Sequence, residues 1–311
     1  MRIVFFGSPH TAIPSLKALL KAGHSIPLII TQPDRPSGRG RKLKPCPVKK
    51  FAEKNKISVL QPKKIRKDPE CLKTLKKINP DINIVVAYGQ IIPSEIIYLP
   101  KHDSVNIHFS YLPKYRGASP VQWALLNGES QTGITIFRLN EKMDQGELLA
   151  QKRVPIYPQE NSLELEERLA EIGAAFLVET LSQIKKINPL PQDHTKATYA
   201  PLIKKEDGRI SWEENAESIY NQIRAFTPWP SSFTFLNKIR IKIIKAKHLK
   251  QKTETSASPG EITEINEKGI TVCCGHNTQL LIEELQPENK KSMKAYSFSL
   301  GARIKPGDTF H

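Results

Sequence analysis

Four cysteines in 311 residues, none of them in a CxxC pair, exclude a zinc ribbon or a disulfide framework as the organising principle of this chain. No apolar run approaches the roughly 18–20 residues that a membrane span needs. The apolar stretch at Met1–Gly7 is too short for a signal peptide and is read as a first strand. A cytoplasmic location and a monomer follow as defaults. The turn after that strand reads Gly7-Ser8-Pro9 rather than GxGxxG, so a dinucleotide such as NAD has no support. No ligand-spaced cluster calls for a metal. No Ser or Cys sits in a nucleophile elbow, which speaks against a covalent acyl-enzyme and for direct transfer. Internal repeats and low-complexity tracts are absent as well.

What the chain has is positive charge. The formal net charge is +16, and it is not evenly spread. From Arg35 to Lys77 there are sixteen Lys/Arg against Glu53, Asp68 and Glu70, a net +13 in one short region. A patch of this density is an electrostatic footprint for a polyanion. A lysine-rich solvated surface is the bland alternative, and charge alone does not separate the two.

The pattern of elements gives an α/β chain in two parts. Residues 2–6 form an apolar strand, Ile13, Leu16 and Leu20 recur at helical spacing, and residues 27–31 form a second strand. This β-α-β start points to a Rossmann-like parallel sheet. Gln32–Pro47 packs four prolines, two glycines and a run of basic residues, and is expected as an irregular, mobile loop at the carboxyl end of the second strand. Strands are expected at 59–60, 82–87 and 105–109, and a strand pair at 134–139 and 148–154. A long amphipathic helix is expected over 162–187. The proline-bearing stretch 189–207 reads as a linker between a catalytic domain at 1–188 and a domain at 208–311. The last part carries short alternating strands separated by turns, the texture of a small β-barrel, OB-like.

Chemistry gathers at "VNIHFSYLPKYRG", residues 105–117. On a strand, Asn106 and His108 share a face. Asp144, in the hairpin loop "NEKMDQGE", can reach the same edge of the sheet. An amide donor, an imidazole and a carboxylate suit proton transfer around a carbonyl: the amide for a developing oxyanion, the imidazole for proton removal near neutral pH. Asn-x-His is a weak pattern by itself. On spacing alone a core histidine and an ordinary turn aspartate are the readings to beat at this point.

The surrounding phrases add weight. "NIHFSYLPKYRGASPVQWALLNGE" followed by "TGITIFRLNEKMDQGELL" resembles the folate-dependent formyltransferases. "MRIVFFGSPHTAIPSL", "TQPDRPSGRGRKLKPCPVK", "PDINIVVAYGQIIP", "ATYAPLIKKEDGRISW", "IRAFTPWPSSFTFLN" and the closing "LQPENKKSMKAYSFSLGARIKPGDTF" extend the resemblance over essentially the whole chain. They are similar to the branch of that family acting on charged initiator methionyl-tRNA. The resemblance implies 10-formyltetrahydrofolate as the formyl donor and Asn106, His108 and Asp144 as the catalytic trio. It implies folate contacts from Ser110, Tyr111, Leu112 and Pro113 and from Tyr88, Gly89, Gln90 and Ile91. Tyr111 stands where the family usually has Leu. It implies that the loop at 34–47 meets the tRNA acceptor end through Arg35, Arg39, Arg41, Lys42 and Lys44, and that the C-terminal barrel contacts tRNA. Two rivals stay open: a formyltransferase acting on a small amine, and a tRNA-binding homologue without activity.

Overall fold

The computed structural model describes residues 1–37, 42–249 and 257–311. In chain order the elements are β1 (Arg2–Gly7), α1 (Ile13–Lys21), β2 (Ser25–Ile30), β3 (Arg35–Ser37), β4 (Lys42–Lys44), α2 (Pro47–Lys54), β5 (Ser58–Leu60), α3 (Pro69–Ile78), β6 (Ile82–Val86) and α4 (Ser94–Ile97). Next come β7 (Ser104–His108), β8 (Arg116–Gly117), α5 (Pro120–Leu126), β9 (Gln131–Arg138), β10 (Leu148–Pro155), α6 (Ser162–Ser182) and β11 (Tyr199–Ala200). The chain divides into two units. The first comprises Met1–Pro120, Gln131–Pro155 and Glu166–Ala200; the second comprises Val121–Ser130, Ile156–Leu165 and Pro201–His311. Of the stretch expected as a linker, residues 189–200 run with the first unit and 201–207 with the second.

The first unit is built on a seven-stranded sheet in the order β10-β9-β7-β6-β1-β2-β5. Strands β1, β2, β5, β6 and β7 are parallel, and β9 and β10 extend the sheet antiparallel. Continuous apolar runs suit strands covered on both faces. Ile82–Val86 is buried at every position and β1 at every position but Arg2. On one face Val4, Phe6, Leu28, Ile30 and Val85 pack with Cys71 and Leu75 of α3 and Ile96 and Ile97 of α4. The carboxylate of Asp68 caps α3 by accepting from the Cys71 N–H at 2.9 Å. The strand order reverses at β1: the chain steps outward to β2 and β5, then returns to β6 and β7 on the other side. A ligand crevice is therefore expected outside the carboxyl ends of β1 and β6. Those ends approach so closely that a Cβ on Gly7 would lie 2.8 Å from the Val86 carbonyl oxygen.

Two expectations need correction. Residues 32–47 are not wholly irregular, because β3 and β4 pair as an antiparallel ribbon with Arg35 opposite Lys44, Pro36 opposite Leu43 and Ser37 opposite Lys42. A two-stranded ribbon is all edge, so a proline lacking its N–H is tolerated there. The helix expected to reach Ile187 ends at Ser182. In its last turns the Thr180 and Ser182 hydroxyls donate to the carbonyls of Phe176 and Glu179, and the backbone then tightens to i→i+3 bonds from Gln183 and Ile184.

The second unit adds α7 (Ala216–Ala225), β12 (Phe233–Leu236), β13 (Ile239–Leu249), β14 (Ile262–Asn266), β15 (Gly269–Cys274), β16 (Thr278–Pro287), β17 (Met293–Lys294) and α8 (Ala295–Ala302). Its sheet runs β12-β13-β16-β15-β14, with β17 on β16. The closing residues join the two edges. Phe235 and His311 exchange both backbone hydrogen bonds, at 2.9 and 2.8 Å, while Ile262 and Gly260 bond to Asp308 and Phe310. The segment 307–311 therefore sits between β12 and β14 and closes the barrel. Phe310 carries the closure inward, buried against Trp212 with ring centroids 5.8 Å apart. Among the described residues no helix is long and apolar enough to cross a membrane.

Candidate active site

Asn106 and His108 lie at the carboxyl end of β7, between β6 and β9. The Asn106 side chain is half-buried and makes no hydrogen bond to another described residue, which leaves its amide available to a ligand. His108 is buried, and its Nε2 lies 2.9 Å from the Tyr115 carbonyl oxygen. A carbonyl only accepts, so Nε2 carries the proton and the neutral ring keeps its lone pair on Nδ1. Nδ1 faces the Oδ2 of Asp144 at 3.9 Å. The structure thus brings the three expected catalytic residues to one edge of one sheet, with the basic nitrogen of the imidazole beside the carboxylate.

Asp144 is held from two sides. It occupies the left-handed region at φ +53°, a conformation aspartate tolerates better than most residues. Its Oδ2 accepts the N–H of Gly117 at 2.8 Å, a charge-assisted bond. Gly117 is required where it stands: at φ +130° it pairs with Ala200, and a Cβ would overlap the Ala200 carbonyl. From the other side the Gln192 amide Nε2 donates to the backbone carbonyls of Asp144 and Gly146, at 3.0 and 2.8 Å.

Residues 192–200 zip along the stretch after β7. Thr198 accepts from the Tyr115 N–H through its hydroxyl and from the Arg116 N–H through its carbonyl, and Ala200 accepts from Ser119. Arg116 is buried; its guanidinium donates twice to the Gln192 Oε1, at 3.1 and 2.6 Å, and once to the Nδ1 of His194 at 3.0 Å. The turn that sets His194 is fixed by Asp193. The Thr195 hydroxyl, Lys196 and the Thr195 N–H hold that carboxyl down to about 2.

The residues expected to meet folate fall into two groups. Ser110–Pro113 form a tied turn in which the buried Ser110 hydroxyl donates to the Lys114 carbonyl at 2.6 Å. The Thr135 hydroxyl bridges the Ser110 carbonyl and the Leu112 N–H, and Gln151 donates to the Leu112 carbonyl. Leu112 is also buried. Tyr111 packs against Gly133 and lies under the Arg153 guanidinium, 4.1 Å from the ring centroid. Tyr88 to Ile91 lie at the switch point. The Tyr88 side chain belongs to the core, edge-on to Phe6, and burial pushes its phenol pKa up. Ala87 and Gly89 are exposed with φ of +48° and +79°, and Ile91 is exposed, so this turn presents backbone and one apolar side chain. Gln90 is spent on the Ile65 N–H and the Pro62 carbonyl.

Of the basic residues expected to meet tRNA, Arg35 and Lys44 lie exposed at the base of the β3–β4 ribbon, facing each other in register. Lys42 pairs with Ser37; Arg39 and Arg41 lie outside the described residues. The ribbon base is anchored by Asp34, whose carboxylate takes the Lys49 ammonium at 2.6 Å and the Gln61 amide at 2.8 Å. The Lys49 hydrogen bond holds the Asp34 carboxyl below its usual range and raises the lysine in turn.

Sequence reasoning missed four contributors. Gln32 joins the switch-point loops: its N–H donates to the Ser8 hydroxyl and its amide to the Tyr88 carbonyl, both at 3.0 Å. Gln192 lay in a stretch read as linker. The Tyr115 carbonyl and the Gly117 N–H are backbone groups, and only the "YRG" that follows the turn hinted at them. Among the described residues no group of three or more His, Cys, Asp or Glu is placed to hold a metal.

Comparison with known proteins places the whole chain in one family. The profile of the formyl transferase family matches residues 1–181, and that of the formyl transferase C-terminal domain matches 202–303. The chain is 41% identical to a methionyl-tRNA formyltransferase of Citrifermentans bemidjiense, covering 99% of this chain and 95% of that one. It is 44% identical to one of Thermodesulfovibrio yellowstonii, covering 99% and 98%. Among solved structures, the sugar 3N-formyl transferase WlaRD, determined in the presence of dTDP and 5-N-formyl-THF, superposes with a TM-score of 0.66 at 22% identity over 94% of this chain and 99% of that chain. A methionyl-tRNA formyltransferase from Clostridium thermocellum superposes with a TM-score of 0.55 at 22% identity over 79% and 93%.

Proposed function

The chain belongs to the formyl transferase family, and from that premise we propose that it transfers the formyl group of 10-formyltetrahydrofolate to the α-amino group of methionine carried by initiator tRNA. The observation that supports the reading is the amide of Asn106, unbonded among the described residues, on the same strand end as His108, whose Nδ1 faces Asp144. Full-length similarity to methionyl-tRNA formyltransferases selects the acceptor.

The residues divide the work as follows. The substrate amine attacks the formyl carbon and forms the new C–N bond; as the adduct collapses, the bond from that carbon to N10 of the folate breaks, and N10 leaves carrying the proton that the amine sheds through His108. The Asn106 amide donates to the formyl oxygen as negative charge builds there, an interaction whose loss typically costs roughly 2.7–4 kcal/mol of barrier. The amine must shed a proton, and Nδ1 of His108 is the nitrogen free to take it. The proton arrives beside the Asp144 carboxylate, which turns from a neighbour of a lone pair into the partner of an N–H⁺. Holding donor and acceptor substrates side by side supplies much of the remaining rate. The donor fits the carboxyl edge of the sheet, where the exposed turn at Ala87–Ile91 offers backbone groups to a flat heterocycle. The buried side chains of Tyr88, Ser110 and Leu112 shape that edge from behind. The basic residues Arg35, Arg39, Arg41, Lys42 and Lys44 serve the phosphates of the acceptor end. The chain works as a monomer in the cytoplasm.

A formylation assay with charged initiator and elongator methionine tRNAs tests the reading. Transfer to the initiator that depends on 10-formyltetrahydrofolate is expected. Transfer to free methionine, or none to charged tRNA, would overturn it.

A further inference from the structure

Gln192 is buried, and all four hydrogen-bonding positions of its amide are filled. Oε1 accepts twice from Arg116, which can only donate; Nε2 donates twice to the carbonyls of Asp144 and Gly146, which can only accept. The chemistry of the partners leaves one orientation of the amide. It also leaves one residue type: glutamate has no donor for the two carbonyls, and methionine has neither function. The receiving loop is equally constrained, since a Cβ on Gly146 would overlap the Arg138 carbonyl. Arg116 in turn sits between Tyr115, whose carbonyl orients His108, and Gly117, whose N–H holds the Asp144 carboxylate.

We propose that Gln192 is a positioning residue for the transfer reaction: it fixes the Asp144 loop to the Tyr115–Gly117 backbone, so that carboxylate and imidazole keep their 3.9 Å relationship. The segment 189–200 then belongs to the catalytic apparatus and is not a spacer. The inference rests on the formyl-transfer reading, because Asp144 is what it positions. Arg116 acts through the same amide, and the His194 Nδ1 lone pair takes the remaining N–H of that guanidinium nitrogen.

The test compares Gln192→Ala and Gln192→Glu with the wild-type enzyme in the formylation assay, each also in an Asp144→Ala background. Wild-type activity establishes the reaction independently of Gln192. With Asp144 present, both variants are expected to lose about 10- to 100-fold in kcat, the scale of an ångström-sized misplacement. KM for tRNA and for folate should stay within about threefold, because substrate binding is not what the amide serves. In the Asp144→Ala background the same changes should cost less than about twofold, since no carboxylate remains to be placed. Gln192→Glu keeps an acceptor for the buried Arg116, so it carries the comparison if the alanine variant does not fold. Wild-type kcat in Gln192→Glu, a loss confined to KM, or an equal loss without Asp144 would each overturn the proposal.

Discussion

The Nε2 of His108 donates to the Tyr115 carbonyl at 2.9 Å, and this one bond leaves Nδ1 as the ring nitrogen with an open lone pair. With Nε2 occupied, the lone pair of the neutral imidazole points from Nδ1 towards Asp144. Nitrogen NMR of protein labelled at histidine should therefore show neutral His108 as the Nε2–H tautomer. A dominant Nδ1–H tautomer would place the proton against Asp144 in the resting enzyme and remove the base from the mechanism. His108→Ala should lower kcat by about 10²–10⁴-fold, the usual range for loss of a general base.

Asn106 has a different signature. Its amide makes no hydrogen bond among the described residues, so its replacement leaves no buried partner behind there. Asn106→Ala should fold with near wild-type stability and lose about 10²–10³-fold in kcat, the scale of a lost oxyanion donor. Asn106→Asp, which puts a carboxylate where negative charge develops, should be worse than alanine. A variant series that changed only KM would show that the amide binds substrate without favouring the transition state.

How much of this was legible in the sequence follows from the kind of interaction. Apolar runs such as "INIVV" announce buried parallel strands because burial on both faces is written in side chains. The trio was legible only as a spacing and a loop until family phrases gave it weight. What stayed hidden is carried by backbone groups and by amides with several available partners. No side-chain pattern marks the Tyr115 carbonyl, the Gly117 N–H, or the four bonds of Gln192. The pairing of 35–37 with 42–44 was hidden for a related reason. Proline usually punctuates loops, yet a two-stranded ribbon has open edges that accept one, as at Pro36. Closure of the barrel by residues 307–311 depends on main-chain pairing at Phe235 and Gly260, which composition does not encode.

Gly117 offers a test of the backbone clamp alone. Its φ of +130° is strained for any other residue, and a Cβ would overlap the Ala200 carbonyl. Gly117→Ala should destabilise the protein by roughly 1–3 kcal/mol. It should also lower kcat, because relief of the overlap pulls the N–H away from the Asp144 Oδ2. Thermal unfolding and the kcat of the still-folded fraction measure the two effects separately. A stability loss with unchanged kcat would show that the bond to Asp144 is dispensable.

The basic ribbon makes the last prediction. Arg35 and Lys44 stand exposed and in register at its base, which Asp34, Lys49 and Gln61 tie to the body of the first unit. If the ribbon holds tRNA phosphates, the Michaelis constant for tRNA should rise steeply with salt, and Lys44→Ala should flatten the log–log slope by about one. Lys49→Met should act differently. It touches no phosphate in this reading but removes the charge that holds Asp34, so it should raise the tRNA constant while leaving the salt slope near that of the wild type. The pH dependence has a definite sign. Because the Asp34 carboxyl is held below its ordinary value by Lys49, the anchor is fully present above about pH 4, the unfolded carboxylate range, and is lost as pH falls through the lowered value. Between neutral and mildly acidic pH the anchor should therefore contribute no pH dependence to tRNA binding in the wild-type protein. A salt-insensitive tRNA constant would remove the ribbon from the binding site.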